Sequence, residues 1–318
     1  MGNVLVSAPL PGPAIDLMRA EHHVDVGADP IGLGREGIVA RIADRDALVT
    51  LVTDRIDEAV LAAAPRLRVV ANCGVGVDNI DLEACRRRGV AVTNTPDVLT
   101  EATADATLAL MLDACRRITE GDRAVRAGHW RGWAPTEWIG ARVTGAALGI
   151  IGLGRIGRAV AARARGFSMR VLYAQPRRAA DDDERALSAR HVSLDELLAS
   201  SDIVVLTCRL DDTTRNLLSR DRIARLKPGA VVVNTARGAC IDEVALADAL
   251  RTGHVAAAGL DVFVGEPRVA PILLELPNVV LTPHLGSADR PTREAMARIC
   301  ADAVLAVLAG REPRCRLV

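Results

Sequence analysis

The stretch AALGIIGLGRIGRAVAARARGF, residues 146–167, decides the fold. Its apolar start reads as a buried strand, the residues after 157 read as a helix, and Gly152-Leu153-Gly154-Arg155-Ile156-Gly157 forms the turn between them. Glycines at those spacings permit a sharp turn and a close backbone approach, so a pyrophosphate can rest on the amides at the helix N-terminus. Glycines also serve ordinary turns, but this strand-turn-helix context, with another strand at MRVLYA (169–174), points to dinucleotide binding.

Beyond that unit the chain continues to alternate. DIVVLT (202–207), AVVVNTA (230–236), VAAAGLDV (255–262) and VVLT (279–282) are separated by helical stretches. Before it, NVLVS (3–7), ALVTLV (47–52), RVVANC (68–73) and VAVTN (90–94) form a similar series with helices at 54–64 and 81–88. Strands alternating with helices predict an α/β chain with two parallel-sheet domains, each covered on both faces. Thr100 to Ile118 reads as a helix apolar nearly all round, expected to be buried between domains or between subunits. The final helix, about 288–309, has no strand after it and is expected to pack back on the first domain. The resulting boundaries are 1–98 with 286–318 for one domain and 99–285 for the other. The acidic run Asp181 to Glu184 is read as a solvated loop.

Bulk properties narrow the function classes. A chain of 318 residues, half of them hydrophobic, suits two domains of ordinary size. Forty Lys plus Arg balance forty Asp plus Glu, which argues against nucleic acid or an anionic membrane as the main partner. The start MGNVLVSAPLPGP lacks a basic segment followed by a long apolar one, and no stretch offers about eighteen uninterrupted apolar residues. A cytoplasmic protein is expected. Seven cysteines without a C-x-x-C pair read as reduced structural thiols, and only Cys208, beside the expected cofactor, invites a further role. His22-His23 and the Asp181 run have no metal-ligand spacing behind them, so no metal is expected. Lys227 is the single lysine, and the cationic charge is otherwise arginine.

The end of the second strand of the dinucleotide unit selects the cofactor. An acid there hydrogen-bonds the adenosine ribose hydroxyls, whereas this chain has Gln175, Pro176, Arg177 and Arg178. A neutral Gln followed by two guanidiniums suits a 2′-phosphate, which favours NADP(H) over NAD(H). The alternative is that both arginines merely face water.

Three later strands end in NTARG (234–238), DVFVGEP (261–267) and TPHLGS (282–287). Ligands of open parallel sheets gather at such carboxyl ends. Reducing a keto acid needs a cation for the carboxylate and a proton donor for the oxygen. Arg237 suits the first task through its planar fork, and His284 suits the second through its titration near working pH. Glu266 on the far ring nitrogen would fix the tautomer and favour the protonated ring. Each residue alone has a structural reading, and it is their sequence after successive strands that marks a site.

GLGRIG, NTARG, LDVFVGEP and LTPHLGS together resemble the D-2-hydroxyacid dehydrogenase family over nearly the whole chain. ANCGVGVDNID (71–81), GVAVTNTPDVLTEATAD (89–105) and WAPTEWIG (133–140) are similar to its glyoxylate and hydroxypyruvate reductase branch. The resemblance implies a Rossmann cofactor domain inserted in a flavodoxin-like substrate domain, and a homodimer. It implies that the Val75-Gly76 backbone and Arg237 hold the substrate carboxylate while His284, paired to Glu266, donates the proton. Leu153 to Ile156 would contact the pyrophosphate, Thr103 the nicotinamide-side phosphate and Asp261 the nicotinamide end. Thr235, Ala236, His284 and Gly286 would line the cofactor.

Two departures stand out. Gln175 replaces the usual acid, and Cys208-Arg209 replaces residues, commonly ending in Pro, that face the adenosine. Arg209 is either a third phosphate contact or an exposed arginine. Trp138 and the short Val75-Gly76 loop suggest a cramped site for glyoxylate or hydroxypyruvate, while a Trp in an apolar segment also reads as core. A larger 2-keto acid, phosphite, or a non-catalytic role sensing NAD(P)H are the rival readings.

Overall fold

A computed structural model gives the positions of all residues, Met1–Val318. Two compact units divide the chain, Met1–Leu99 with Ala288–Val318, and Thr100–Ser287.

The first unit holds β1 (Asn3–Val6), β2 (His23–Val26), β3 (Ala47–Leu51), β4 (Val69–Cys73) and β5 (Ala91–Thr93). They form one parallel sheet in the order β2-β1-β3-β4-β5, the flavodoxin-like winding. Leu5, Leu48, Val70 and Val92 carry its core against Ile38, Val60, Leu61 and Cys85 from the covering helices. The chain returns to this unit through the helix Arg290–Leu308, which packs on β3, β4, β5 and the helix Ala14–Arg19. Asp289 starts it by accepting the Thr292 amide at 2.7 Å.

The second unit holds β6 (Ala147–Ile151), β7 (Arg170–Ala174), β8 (Ala189–His191), β9 (Ile203–Leu206), β10 (Ala230–Asn234), β11 (Val255–Leu260) and β12 (Val279–Leu281). Their order, β12-β11-β10-β9-β6-β7-β8, is the Rossmann winding with one strand added. The winding reverses direction between β6 and β9, and crevices at such a point receive ligands. At the opposite, amino end, Asp202 accepts the Ala147 amide at 2.8 Å and the Lys227 ammonium at 2.5 Å, locking the start of β6 to β9.

Two expectations change. The helix Thr100–Arg116 buries Thr103, Ala104, Thr107, Leu108, Leu110, Met111, Ala114 and Cys115 against β10, β11, β12 and the helix Arg155–Ala164 of its own unit, so its apolar face belongs to that core. The acidic run does not form a loop. Asp181 to Glu184 make the first turn of the helix Asp181–Leu187, where carboxylates meet the positive end of the helix dipole.

Candidate active site

The glycine-rich turn after β6 is shaped by what stands behind it. Gly152 has φ +95, and a Cβ there would lie 2.8 Å from the Cα of Cys208. A Cβ on Gly157 would lie 2.3 Å from the Gly152 carbonyl oxygen, which itself accepts the Thr207 hydroxyl at 2.7 Å. Gly154 is different. Its Cβ direction is open to 4 Å, and it precedes the helix Arg155–Ala164 without any side-chain cap. The first turn of that helix has no side-chain cap at its N-terminus, and a dinucleotide pyrophosphate fits this cradle.

At the end of β7, Gln175 bridges two loops. Its Oε1 accepts the Leu153 amide at 2.8 Å and its Nε2 donates to the Arg177 carbonyl at 2.7 Å. The two arginines expected beside a phosphate part company. Arg178 forms a bidentate pair with Glu184 at 2.9 and 2.6 Å, whereas the exposed Arg177 side chain has no ion-pair partner. Arg209 is exposed and 3.3 Å from Asp211. Cys208 backs the glycine turn with its thiol against Cys240. The hydrogen bond between them, and then burial, push the Cys208 thiol far up, so it is a poor nucleophile and its role is packing.

The three loops of the catalytic reading meet at the carboxyl ends of β10, β11 and β12. His284 Nδ1 lies 2.8 Å from Glu266 Oε2, and Glu266 Oε1 accepts the Phe263 amide at 2.9 Å. Burial pushes the Glu266 carboxyl up, but the hydrogen bond and charge of His284, the Phe263 amide and the nearby Arg237 outweigh it and hold the group below the usual carboxylate range. The folded value being the lower one, the stabilisation from the ionised Glu266 is fully present above the ordinary Glu range and is lost as pH falls through that depressed value. Arg237 follows β10 and is half-buried, its Nη1 donating to the Ala236 carbonyl at 2.9 Å. Asn234 shapes that turn by accepting the Ala236 amide at 3.0 Å and donating to the Arg237 carbonyl at 2.9 Å.

The residue that sets the His284 loop is Asp261. It is 1% exposed and accepts the Thr282 hydroxyl at 2.6 Å, the Leu285 amide at 2.6 Å and the Gly286 amide at 2.8 Å. His284 itself sits at φ +54, a left-handed conformation that a bulky residue holds only when its surroundings impose it. Thr103 and Gly286 lie against each other nearby, and Thr107 ties the Thr103 carbonyl to the Thr235 hydroxyl at 2.7 and 2.8 Å. The carboxylate of Asp261 keeps one lone-pair direction, on Oδ2, beyond these three donors.

In the other unit, the Gly74-Val75-Gly76 loop leaves β4 and is held by two asparagines that its sequence did not single out. Asn72 donates to the Gly74 and Gly76 carbonyls at 3.3 and 2.8 Å, and Asn94 donates to the Val75 carbonyl at 2.9 Å. Both sit at strand ends, the one signal that could have found them. Trp138 stands apart from the strand-end loops of its unit. It packs under the Arg117 guanidinium, 5.2 Å from the ring centre, beside Ile139 and Gly140. Those neighbours line a cavity of about 440 Å³ with Gly229, Ala256 and Asn278 at the amino ends of β10 to β12, the end opposite Arg237 and His284.

The anchoring role of Asp261 gives a direct test. In Asp261→Ala the amides of Leu285 and Gly286 should exchange with solvent at least about tenfold faster while those of β6 stay protected, since a buried donor left unpaired costs about 1–3 kcal/mol. Unchanged protection at Leu285 and Gly286 would remove Asp261 as the anchor.

Comparison with known proteins identifies the family. Residues 108–286 match the family described as D-isomer specific 2-hydroxyacid dehydrogenase, NAD binding domain. Over 314 residues, 98% of this chain and 94% of the relative, the sequence is 45% identical to a glyoxylate reductase of Thermococcus onnurineus. A crystal structure of a Thermus thermophilus protein superposes with a TM-score of 0.91 at 45% identity, covering 99% of this chain and all of that one. An NADPH-dependent glyoxylate/hydroxypyruvate reductase from Sinorhizobium meliloti, in complex with NADP and malonate, superposes with a TM-score of 0.86 at 30% identity, covering 100% and 97%. With a Rossmann unit that carries Arg237, Glu266 and His284 at neighbouring strand ends, the chain belongs to the D-isomer specific 2-hydroxyacid dehydrogenase family, in its glyoxylate reductase branch.

Proposed function

We propose that this protein reduces a small 2-keto acid, glyoxylate or hydroxypyruvate, to the D-2-hydroxy acid, with NADPH favoured over NADH, and that it works as a homodimer. The observation that carries the reading is the 2.8 Å contact between His284 Nδ1 and Glu266, which leaves His284 Nε2 without a protein partner. A ring held in this way by a carboxylate is oriented to give a proton from Nε2.

The nicotinamide, when bound, supplies the hydride that reaches the keto carbon. His284 gives its Nε2 proton to the oxygen that becomes hydroxyl, and Glu266 stabilises the imidazolium before that transfer. Arg237 holds the substrate carboxylate through its fork. Asp261 offers its spare lone pair to the carboxamide end of the cofactor, with Thr103, Thr235, Ala236 and Gly286 beside it. Orientation and fixed charge supply most of the rate in such a site.

Arg177 supports the preference for NADPH, because its guanidinium is uncommitted where Arg178 and Arg209 are engaged by Glu184 and Asp211. The relative from Sinorhizobium meliloti, named NADPH-dependent and solved with NADP, points the same way. For the dimer, the segment around the helix Ile118–Arg126 exposes Ile118, Val125, Trp130, Trp133 and Ile139. Exposed apolar groups this dense mark an association surface. No helix is long and apolar enough to cross a membrane.

Three measurements test these assignments. Mixing the protein with NADPH or NADH and glyoxylate, hydroxypyruvate or pyruvate should show the fastest loss of nicotinamide absorbance with NADPH and a two- or three-carbon acid. Cofactor binding without any turnover would favour a sensor instead. In Glu266→Gln the alkaline fall of keto-acid reduction should move to lower pH, because the imidazolium loses its anionic partner, and an unchanged profile would exclude that role. Light scattering should give twice the chain mass, reduced toward one chain by Trp130→Glu with Trp133→Glu. A monomeric wild type would end the dimer assignment.

A further inference from the structure

The loop that follows β7 is fixed at nearly every residue. The Gln175 carbonyl lies 3.1 Å from His191 Nε2, and the Gln175 side chain holds the Leu153 amide and the Arg177 carbonyl. The Ala179 amide donates to the Tyr173 hydroxyl at 2.9 Å, and that hydroxyl donates to Glu184 Oε1 at 2.5 Å. Arg178 closes the ring by its bidentate pair with the same carboxylate. His191 packs on the Tyr173 ring with centroids 5.0 Å apart.

Glu184 stands apart from the acids around it. Its side chain is 10% exposed, against 73% for Asp181 and 90% for Asp182 on the same helical turn. Three donors converge on its two oxygens, from Arg178 Nε, Arg178 Nη2 and the single tyrosine of the chain. The hydrogen bonds from Arg178 and then Tyr173 hold its carboxyl down to about 2. A solvated helical acid needs no such set of partners. Asp183 adds a second tie, 2.8 Å from Arg158 on the helix that starts at the glycine turn.

We propose that Glu184 is a positioning residue for cofactor selection, holding Arg178 and Tyr173 so that the 175–180 loop presents Arg177 alone to an adenosine 2′-phosphate. The inference rests on the NADPH reading above. NADH brings no phosphate to this loop, so its binding does not draw on Arg177, and loss of the clamp acts on NADPH selectively. Glu184 also keeps Arg178 turned away, so the phosphate meets one guanidinium whose backbone is fixed on both sides.

The test is equilibrium binding of NADPH and of NADH, followed by tryptophan quenching, in the wild type, Arg177→Ala, Glu184→Ala, Glu184→Gln and Tyr173→Phe. Glu184→Ala and Tyr173→Phe should each weaken NADPH about tenfold while NADH changes less than about threefold, the scale of one lost charge-assisted contact. Glu184→Gln, which keeps one acceptor oxygen and loses the charge and the other acceptor, should fall between. Thermal midpoints of the cofactor-free variants establish that each is folded, and Tyr173→Phe, the mildest change, keeps the comparison open if Glu184→Ala is not. If Glu184→Ala tightens NADPH, Arg178 is a competing phosphate ligand and the positioning role falls. If Arg177→Ala lowers the NADPH preference while Tyr173→Phe and Glu184→Ala leave it intact, only the clamp fails. If Arg177→Ala leaves the preference unchanged, the NADPH reading fails and the clamp falls with it.

Discussion

In a parallel sheet every strand ends at the same edge, and that single directional constraint organises the Thr100–Ser287 unit. The glycine turn after β6, the Gln175 loop after β7, Cys208 after β9, Arg237 after β10, Asp261 after β11 and His284 after β12 are far apart in the chain. Parallel pairing with little stagger brings them to one rim. The crossover helices then bury both faces of the sheet, leaving that rim as the place where polar groups can stand open to a ligand.

What holds those groups in place is a small set of hydrogen bonds with little solvent contact, some uncharged, as at Asn234, and some through carboxylates, as at Asp261, Glu266 and Glu184. Surface pairs such as Arg126 with Asp122 or Arg298 with Asp302 are plentiful in this arginine-rich chain, but exposed pairs contribute about 0–1 kcal/mol each. Asp261, Asn234 and Asn72, all 1% exposed or less, each satisfy several loop groups at once. Breaking one of them would strand the buried partners that depended on it, which is the larger cost.

The fold was readable because parallel strands buried on both faces appear as continuous apolar runs. ALGII and AVVVN are buried at every residue, and both stood out in the sequence. The edge strands β2, HVDV, and β8, ARH, escaped notice because they are short, polar and only partly buried, so no apolar run announces them. Arg237, Glu266 and His284 could be found because the chemistry demands those residue types after successive strands. Their supports were not legible, since an Asn or Asp at a strand end looks the same whether it faces water or gathers three donors. The clearest misreading was the run at Asp181, where composition alone suggested a loop and the chain instead starts a helix. The helix dipole, Arg158 and Arg178 give those acids partners that lie elsewhere in the sequence.

Gln175 carries one more implication, for redesign. Its carboxamide is oriented by a donor on one side, the Leu153 amide, and an acceptor on the other, the Arg177 carbonyl. An aspartate could take the first bond and never the second, having no N–H to give. Converting this site to the ribose-binding acid of NAD enzymes is therefore a two-position problem. The exchanged side chain must gain two hydroxyl donors from the ligand, and the carbonyl of residue 177 must find a new donor of its own.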